Sequence, residues 1–226
     1  MNILSIIAAR GGSKGIPMKN LIILNQKPLL YYTVKASMDS KLISKTIVST
    51  DSDRIAKVAR KFGAVVIMRP KRLASDKAQV ELTIMHVLQF LKSRENYVPH
   101  ILVLLSNTSP LRSSKHIDEA LKFFFDKKYD SVLSGFSTHK FLWKAKNSVA
   151  YPINYDPKKR PNRQEMKDQF IENGAIYITK NELFEKSKCR LSGRIGLYQM
   201  SEELSIEIDS HHDLSLAEQT MTLQKN

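Results

Sequence analysis

A single cysteine, Cys189, stands in a chain of 226 residues. It excludes an intramolecular disulfide and a cysteine-cluster metal site, and it fits a reducing cytoplasm. Set between Lys188 and Arg190 in a polar stretch, it reads as an incidental thiol rather than a nucleophile. Uninterrupted apolar runs stay well below the ~18 residues that cross a bilayer, so no membrane span is expected. The run from Ile3 to Ala9 has no Lys or Arg ahead of it and reads as a first strand, not a secretion signal. The P-loop spacing is missing, and so is Gly-x-Gly-x-x-Gly after a strand, which argues against a P-loop NTPase or a dinucleotide enzyme. No internal repeat or low-complexity tract occurs.

Acidic residues are also scarce: 22 Asp and Glu face 36 Lys and Arg, for a net charge of +14 and a pI near 9.8. Such a balance suits an anionic partner, and a basic nucleic-acid-binding protein is one reading of it. The cations, however, are scattered through apolar segments, without the block or interleaved aromatics of a nucleic-acid groove. An anionic small molecule is preferred, and no nucleic-acid partner is expected. With 42% hydrophobic and 26% charged residues the composition is that of a globular protein with one sizeable core. Residues 1–226 read as a single domain.

The most informative stretch is Ile7 to Asn20. An apolar strand breaks into Arg10, Gly11, Gly12, Ser13, Lys14 and Gly15, and no acid occurs before Asp39. Glycines let backbone N–H groups approach an anion, while Arg10, Lys14 and Lys19 add full charges. The loop reads as a phosphate cradle.

Strand-like and helical segments then alternate, which predicts βα units and a mainly parallel, twisted, Rossmann-like α/β sheet with helices on both faces. Strands are expected at Lys45 to Thr50, Ala64 to Met68, Ile101 to Leu105 and Ser131 to Gly135. Helices are expected from Pro28 to Ala36, after the cap residues Asp51 to Asp53, through Val80 to Leu91, and up to Phe125. In such a sheet the loops after the strands share one edge, so the opening loop, the loop at Arg69 and the turn Ser106 to Arg112 meet in one crevice. From Ser137 to Phe170 the alternation stops, and eight Lys or Arg stand against three acids. So long a connection is usually functional. Leu204 to Ser210 alternates again, and as a strand it would send Glu207 and Asp209 out of one face. Two carboxylates on a crevice can bind Mg²⁺, although the same spacing is that of a solvated strand face. His211, His212 and Asp213 read as cap and surface residues of a last helix.

Arg10-Gly-Gly-Ser-Lys-Gly with Lys19-Asn20 resembles the opening signature of the acylneuraminate cytidylyltransferases. Arg69-Pro with Leu73-Ala-Ser-Asp, Thr108-Ser-Pro-Leu-Arg112, Asn173-Gly-Ala-Ile-Tyr177 and Glu207-Ile-Asp209 are similar to four further motifs of that family, in the same order. In two places the sequence departs from the pattern: Ser106 and Asn107 replace a Gln-Pro pair, and Glu207 replaces an aspartate.

The resemblance implies a nucleotide-diphospho-sugar transferase-like fold and transfer of CMP from CTP to a nine-carbon 2-keto sugar acid. Arg10, Lys14 and Asp209 would be catalytic. Gly11, Ser13 and Lys19 would line the phosphate loop, Asn20, Arg69, Ala78 and Thr108 would hold the cytidine, and Ser106 would lie near the reacting hydroxyl. Asn173 and Tyr177 would face the sugar. Mg²⁺, or Mn²⁺ in its place, would sit on Glu207 and Asp209. Residues 137–170 would form an arm of a homodimer, with Arg163 and Gln164 reaching the neighbouring site. The missing aromatics between Cys189 and Gly193 point from N-acetylneuraminate towards a legionaminate-like acid. A cytidylyltransferase for the eight-carbon 3-deoxy-manno-octulosonate is the alternative within this fold.

Overall fold

A computed structural model describes residues 1–13 and 15–224. Its centre is a sheet that begins with β1 (Ile3–Ala8), and the chain order of the other elements explains where the crevice falls. A small hairpin, β2 (Ile23–Leu24) and β3 (Lys27–Pro28), leads into α1 (Leu29–Met38). Then follow β4 (Lys45–Thr50), α2 (Asp53–Lys61), β5 (Val65–Met68), α3 (Val80–Glu95), β6 (Ile101–Leu105), α4 (Ser114–Asp126) and β7 (Ser131–Ser137). The remainder is β8 (Trp143–Lys146), β9 (Val149–Pro152), β10 (Phe170–Lys180), α5 (Asn181–Ser187), β11 (Ile195–Gln199) and α6 (His211–Leu223).

Seven strands form the main sheet in the order β11-β7-β10-β6-β1-β4-β5. All neighbours are parallel except β10, which runs antiparallel to both β6 and β7. Side-chain alternation along the strands divides the core in two, as a sheet covered on both faces requires. Ile3 and Ile7 of β1, Val103 of β6 and Ile178 of β10 face α1, α2 and α4. Leu4 and Ile6, Leu102 and Leu104, and Tyr177 face α3 and the buried Phe184 of α5. A third cluster of Ile16, Leu24, Leu29, Leu111, Ile208 and Met221 clamps the opening loop, the 204–210 segment and α6 together.

From β1 the chain moves outward to β4 on one side and later to β6 on the other. The connections leaving β1 and β6 therefore run to opposite sides of the sheet, which makes the carboxyl edge between these two strands the switch point where open α/β sheets take ligands. Because β10 is antiparallel, with Ile176 opposite Leu105, its Asn173-Gly174 bulge lies at that same edge. The main helices and the four expected strands thus form where hydrophobic periodicity placed them.

One expectation needs correction. Leu204 to Ser210 is not a paired strand: among the described residues its one backbone link to the sheet region is the Ile208 N–H donating to the Thr108 carbonyl at 2.8 Å. With Ile208 fully buried and Glu207 and Asp209 exposed, the alternation survives without the ladder. Residues 137–170, where the alternation stops, contain β8 and β9, which pair as a separate hairpin. Its turn is Asn147-Ser148, both at positive φ of 49° and 63°, which is the primed turn that matches strand twist. Every residue of the hairpin except Pro152 is exposed.

Candidate functional site

Two cavities open at the carboxyl edge, and they share Ala8 and Ser106, the residues that follow or end β1 and β6. The first, about 390 Å³, is lined by Arg10, Ser13, Gly15, Lys19, Asn20, Asn107, Thr108 and Asp209. The second, about 250 Å³, is lined by Val80, Leu104, Gly174, Tyr177, Arg190 and Glu207. A larger apolar hollow near Met1, Pro99 and Phe125 lies at the amino ends of the parallel strands, away from these groups.

In the first cavity the opening loop is fixed by hydrogen bonds that begin in its own backbone. The Gly11 N–H donates to Asp51 Oδ1 at 2.9 Å, and Asn20 Nδ2 donates to the Arg10 carbonyl at 2.7 Å. Asn20 also accepts from Asn107 Nδ2, so the loop is joined to the turn after β6. Arg10 pairs with Asp76 at 2.7 Å. Lys19 Nζ bonds the Ile208 carbonyl at 2.8 Å and Asp209 Oδ1 at 2.7 Å. Ser106 Oγ and Thr108 Oγ1 lie 2.8 Å apart. Lys14 lies outside the described residues.

Beneath both cavities Arg112 is fully buried, and its Nη1 donates to the carbonyls of Ser106 at 2.9 Å and Ala175 at 3.0 Å. Burial lowers its pKa from 12.5 to about 9. Sequence reading left Arg112 out of the site, since a charged residue closing a motif gives no sign that it turns inward.

In the second cavity Tyr177 donates its hydroxyl to Glu172. Burial is the main cause that raises its pKa, followed by that bond. Arg190 lies over the Tyr177 ring at 4.7 Å and donates to Glu81 at 2.5 Å. Although Glu207 as a whole is exposed, its carboxyl end is partly covered against the second cavity and is pushed above its usual range by that desolvation first, then by Asp209 and Glu172. A crowd of carboxylates on one rim is chemistry that suits a hard divalent cation, which takes oxygen ligands and shares phosphate oxygens with a substrate. Glu207 lines the second cavity and Asp209 the first, where it pairs with Lys19, and no group of three His, Cys, Asp or Glu side chains forms a metal cluster among the described residues.

Other expected site residues lie behind or outside the two cavities. Asn173 is 2% exposed and spends its amide internally, accepting from Ser134 at 2.6 Å and the Ala175 N–H at 3.1 Å and donating to Ser205 at 2.8 Å. It shapes the bulge that carries Gly174. Arg69 is buried and donates to Thr83 at 3.0 Å, which ties the loop after β5 to α3. Ala78 is half-buried in the turn before α3. Arg163 and Gln164 are exposed in a short 3-10 turn and line neither cavity of their own chain.

A mainly parallel sheet with paired cavities at its switch point is the arrangement in which open α/β folds take ligands. Solved structures agree in fold. CMP:2-keto-3-deoxy-manno-octonic acid synthetase complexed with CTP matches with a TM-score of 0.73 at 15% identity, covering 99% of this chain and 100% of that one. The 4-diphosphocytidyl-2C-methyl-D-erythritol synthase of Anaerococcus prevotii matches with a TM-score of 0.69 at 14% identity, covering 98% of each chain.

The chain belongs to the cytidylyltransferase family, whose model matches residues 4–226. It is 36% identical over 222 residues to N-acylneuraminate cytidylyltransferase A of Danio rerio, covering 96% of this chain and 50% of that protein. It is 34% identical to the N-acylneuraminate cytidylyltransferase of Escherichia coli O18:K1:H7, covering 95% and 51%. The chain thus spans about half the length of these curated relatives.

Proposed function

We propose that this chain transfers CMP from CTP to the anomeric hydroxyl of a nine-carbon 2-keto sugar acid and releases pyrophosphate. The observation that carries this is the pair of cavities with a common wall: a cationic, glycine-lined one suited to a triphosphate, and beside it one with a phenol, a guanidinium and a carboxylate. A nucleotide and an acidic sugar seated in the two would bring α-phosphate and hydroxyl together across Ser106. The names of its relatives agree with that reading.

Arg10, Lys14 and Lys19 would neutralise phosphate charge, and the loop glycines would admit phosphate oxygens to backbone N–H groups. Asn20 and Thr108 would meet the nucleoside, with Arg69 and Ala78 supporting the loop that borders it. Tyr177 would contact the sugar, while Asn173 holds the bulge beneath it. Mg²⁺, with Mn²⁺ as a substitute, would be held by Glu207 and Asp209, and when bound it would offset phosphate charge and lower the pKa of the attacking hydroxyl. Phosphoryl transfer of this kind needs positioning and charge neutralisation more than a covalent nucleophile.

Two further elements belong to the same reading. The 137–170 segment would be the arm of a homodimer, placing Arg163 and Gln164 at the partner's site. A cytoplasmic enzyme with a legionaminate-like acid as its acceptor completes the proposal. Among the described residues no helix is long and apolar enough to cross a membrane.

The test is pyrophosphate release with each of the four ribonucleoside triphosphates and a panel of acids: N-acetylneuraminate, legionaminate-type, pseudaminate-type and 3-deoxy-manno-octulosonate. Turnover restricted to CTP and a nine-carbon acid is expected. Preference for the eight-carbon acid would overturn the acceptor assignment. Tight, steeply salt-dependent binding of random DNA without any turnover would favour a nucleic-acid binder instead.

A further inference from the structure

β6 and β10 separate at the crevice, and a buried cation stands where they do. The outermost pair of their ladder is Leu105 opposite Ile176. The next residues outward are Ser106, which lines both cavities, and Ala175, which follows Gly174 in the wall of the second. Arg112 Nη1 donates to the carbonyls of both, at 2.9 Å and 3.0 Å. Thr33 adds only a long bond of 3.4 Å to the Ser106 carbonyl. One guanidinium nitrogen therefore holds the wall shared by the cavities against the bulge of β10.

The position of Arg112 is fixed through its own backbone. Leu111, before it, packs with Ile16, Leu24 and Ile208 in the third core cluster. Ser113, after it, caps α4 in a reciprocal box: His116 Nδ1 accepts from the Ser113 N–H at 3.2 Å, and Ser113 Oγ accepts from the His116 N–H at 3.4 Å. Arg112 is 2% exposed, too covered to touch a ligand. Its Nε and Nη2 are buried without an acceptor among the described residues. The fold thus carries a buried charge at a cost, and the two bonds that the charge makes both fall at the crevice.

Each end of that bridge bears on groups at the centre of the site. Ser106 Oγ lies 2.8 Å from Thr108 Oγ1, and the Thr108 carbonyl accepts from the N–H of Ile208, the residue between Glu207 and Asp209. At the other end Gly174 has a positive φ of 63°, and a Cβ there would overlap the Glu207 carboxylate. A shift of Ser106 against Ala175 would move one cavity relative to the other.

We infer that Arg112 is a positioning residue that sets the separation of the two cavities, and with it the distance between the α-phosphate and the hydroxyl that attacks it, while touching neither substrate. This rests on the cytidylyl-transfer reading and assigns the alignment step of that reaction to a residue behind the site.

The test is steady-state kinetics of intact Arg112→Lys and Arg112→Met proteins with CTP and the acid that wild type prefers. Each rate is divided by the number of CTP-binding sites counted by equilibrium dialysis, so that unfolded protein does not enter. Lysine keeps the charge as a compact ammonium without the planar fork, and methionine keeps only the length. Both variants should lose about tenfold to a hundredfold in kcat per site, the scale of a small misplacement of reacting groups, while KM for CTP and for the acid each change by less than about threefold. A purely structural role would lower Tm and the number of CTP-binding sites but leave kcat per site at the wild-type value, which would overturn the assignment. A rise in KM for CTP that accounts for the whole loss would overturn it too, by making Arg112 a support for nucleotide binding alone. Wild-type kcat in Arg112→Lys would show that the charge suffices without the fork, and this variant carries the test if Arg112→Met does not fold. All of these outcomes leave cytidylyl transfer intact, whereas absence of wild-type turnover with every acid would remove the reading on which the role depends.

Discussion

A Cβ placed on Gly15 would lie 2.5 Å from the carbonyl oxygen of Asp209. The cationic loop and the acidic segment are thus in contact backbone to backbone, across nearly the full length of the sequence. Any side chain at position 15 must part them. Gly15→Ala should therefore separate Lys19 from Asp209 and lower kcat/KM by at least about tenfold, or ~1.4 kcal/mol of transition-state stabilisation. Overpacking of this kind costs about 1 to 3 kcal/mol in stability, so a modest fall in Tm should accompany it. Steady-state kinetics beside a thermal melt check both, and wild-type kinetics would show that the contact is incidental.

Lys19 and Asp209 form an ion pair in which the carboxylate remains 75% exposed. An exposed pair contributes little to stability, so its value lies in what else Asp209 can hold. Asp209→Asn is expected to leave Tm nearly unchanged while lowering kcat by about a hundredfold or more, the scale of a lost charge-stabilising group. EDTA should abolish wild-type turnover, with Mg²⁺ or Mn²⁺ restoring it. If Asp209→Asn turned over at the wild-type rate in saturating Mg²⁺ and CTP, the ion would have to be placed elsewhere.

Legibility in the sequence followed the range of the interaction. β4 and β6 run from Lys45 to Thr50 and from Ile101 to Leu105 as hydrophobic patterning placed them, because burial on both faces leaves an unbroken apolar run. The hairpin of β8 and β9 was not read from the sequence, because its short strands are exposed on both faces and give no core-facing pattern. Contacts such as Gly11 with Asp51 and Arg10 with Asp76 join segments 40 or more residues apart through single side chains. No local period encodes them. Asn173 shows the limit of motif reading: the motif marks the position, while only packing reveals that its amide is spent on Ser134, Ala175 and Ser205.

Arg112 is a buried cation whose partners are two carbonyls and no carboxylate. Replacing it with methionine removes the burial cost of the charge but leaves the Ser106 and Ala175 carbonyls unmatched, each at about 1 to 3 kcal/mol. A net loss of roughly 1 to 3 kcal/mol at neutral pH is expected for Arg112→Met. The pH dependence has a defined sign. The folded pKa, about 9, lies below the ordinary 12.5, so the unfolded chain binds the proton more tightly, and the wild type gains stability as pH rises above the folded value. The gap between wild type and Arg112→Met in urea unfolding should widen between about pH 8 and about pH 10. A gap that narrowed would mean the guanidinium is better solvated than its burial indicates.

Trp143, the chain's single tryptophan, is 46% exposed on β8, with Val149, Tyr151 and Ile153 at 53%, 45% and 57% nearby. Phe141 and Tyr155 pack against each other at 4.5 Å, and Trp143 meets Tyr155 edge-on at 5.7 Å, so the hairpin presents an ordered apolar surface to solvent. A contiguous patch of that kind marks an interface more often than a free surface. If the hairpin pairs with a second copy, Trp143 emission should shift to the blue as protein concentration rises, and sedimentation should follow the same midpoint. Ile153→Asp, which places a charge on that surface, should weaken association by about tenfold or more. Activity per chain should fall with it at low concentration, because Arg163 and Gln164 line neither of the two site cavities of their own chain and would need the partner to reach one. Full activity in a monomeric Ile153→Asp protein would separate the arm from catalysis.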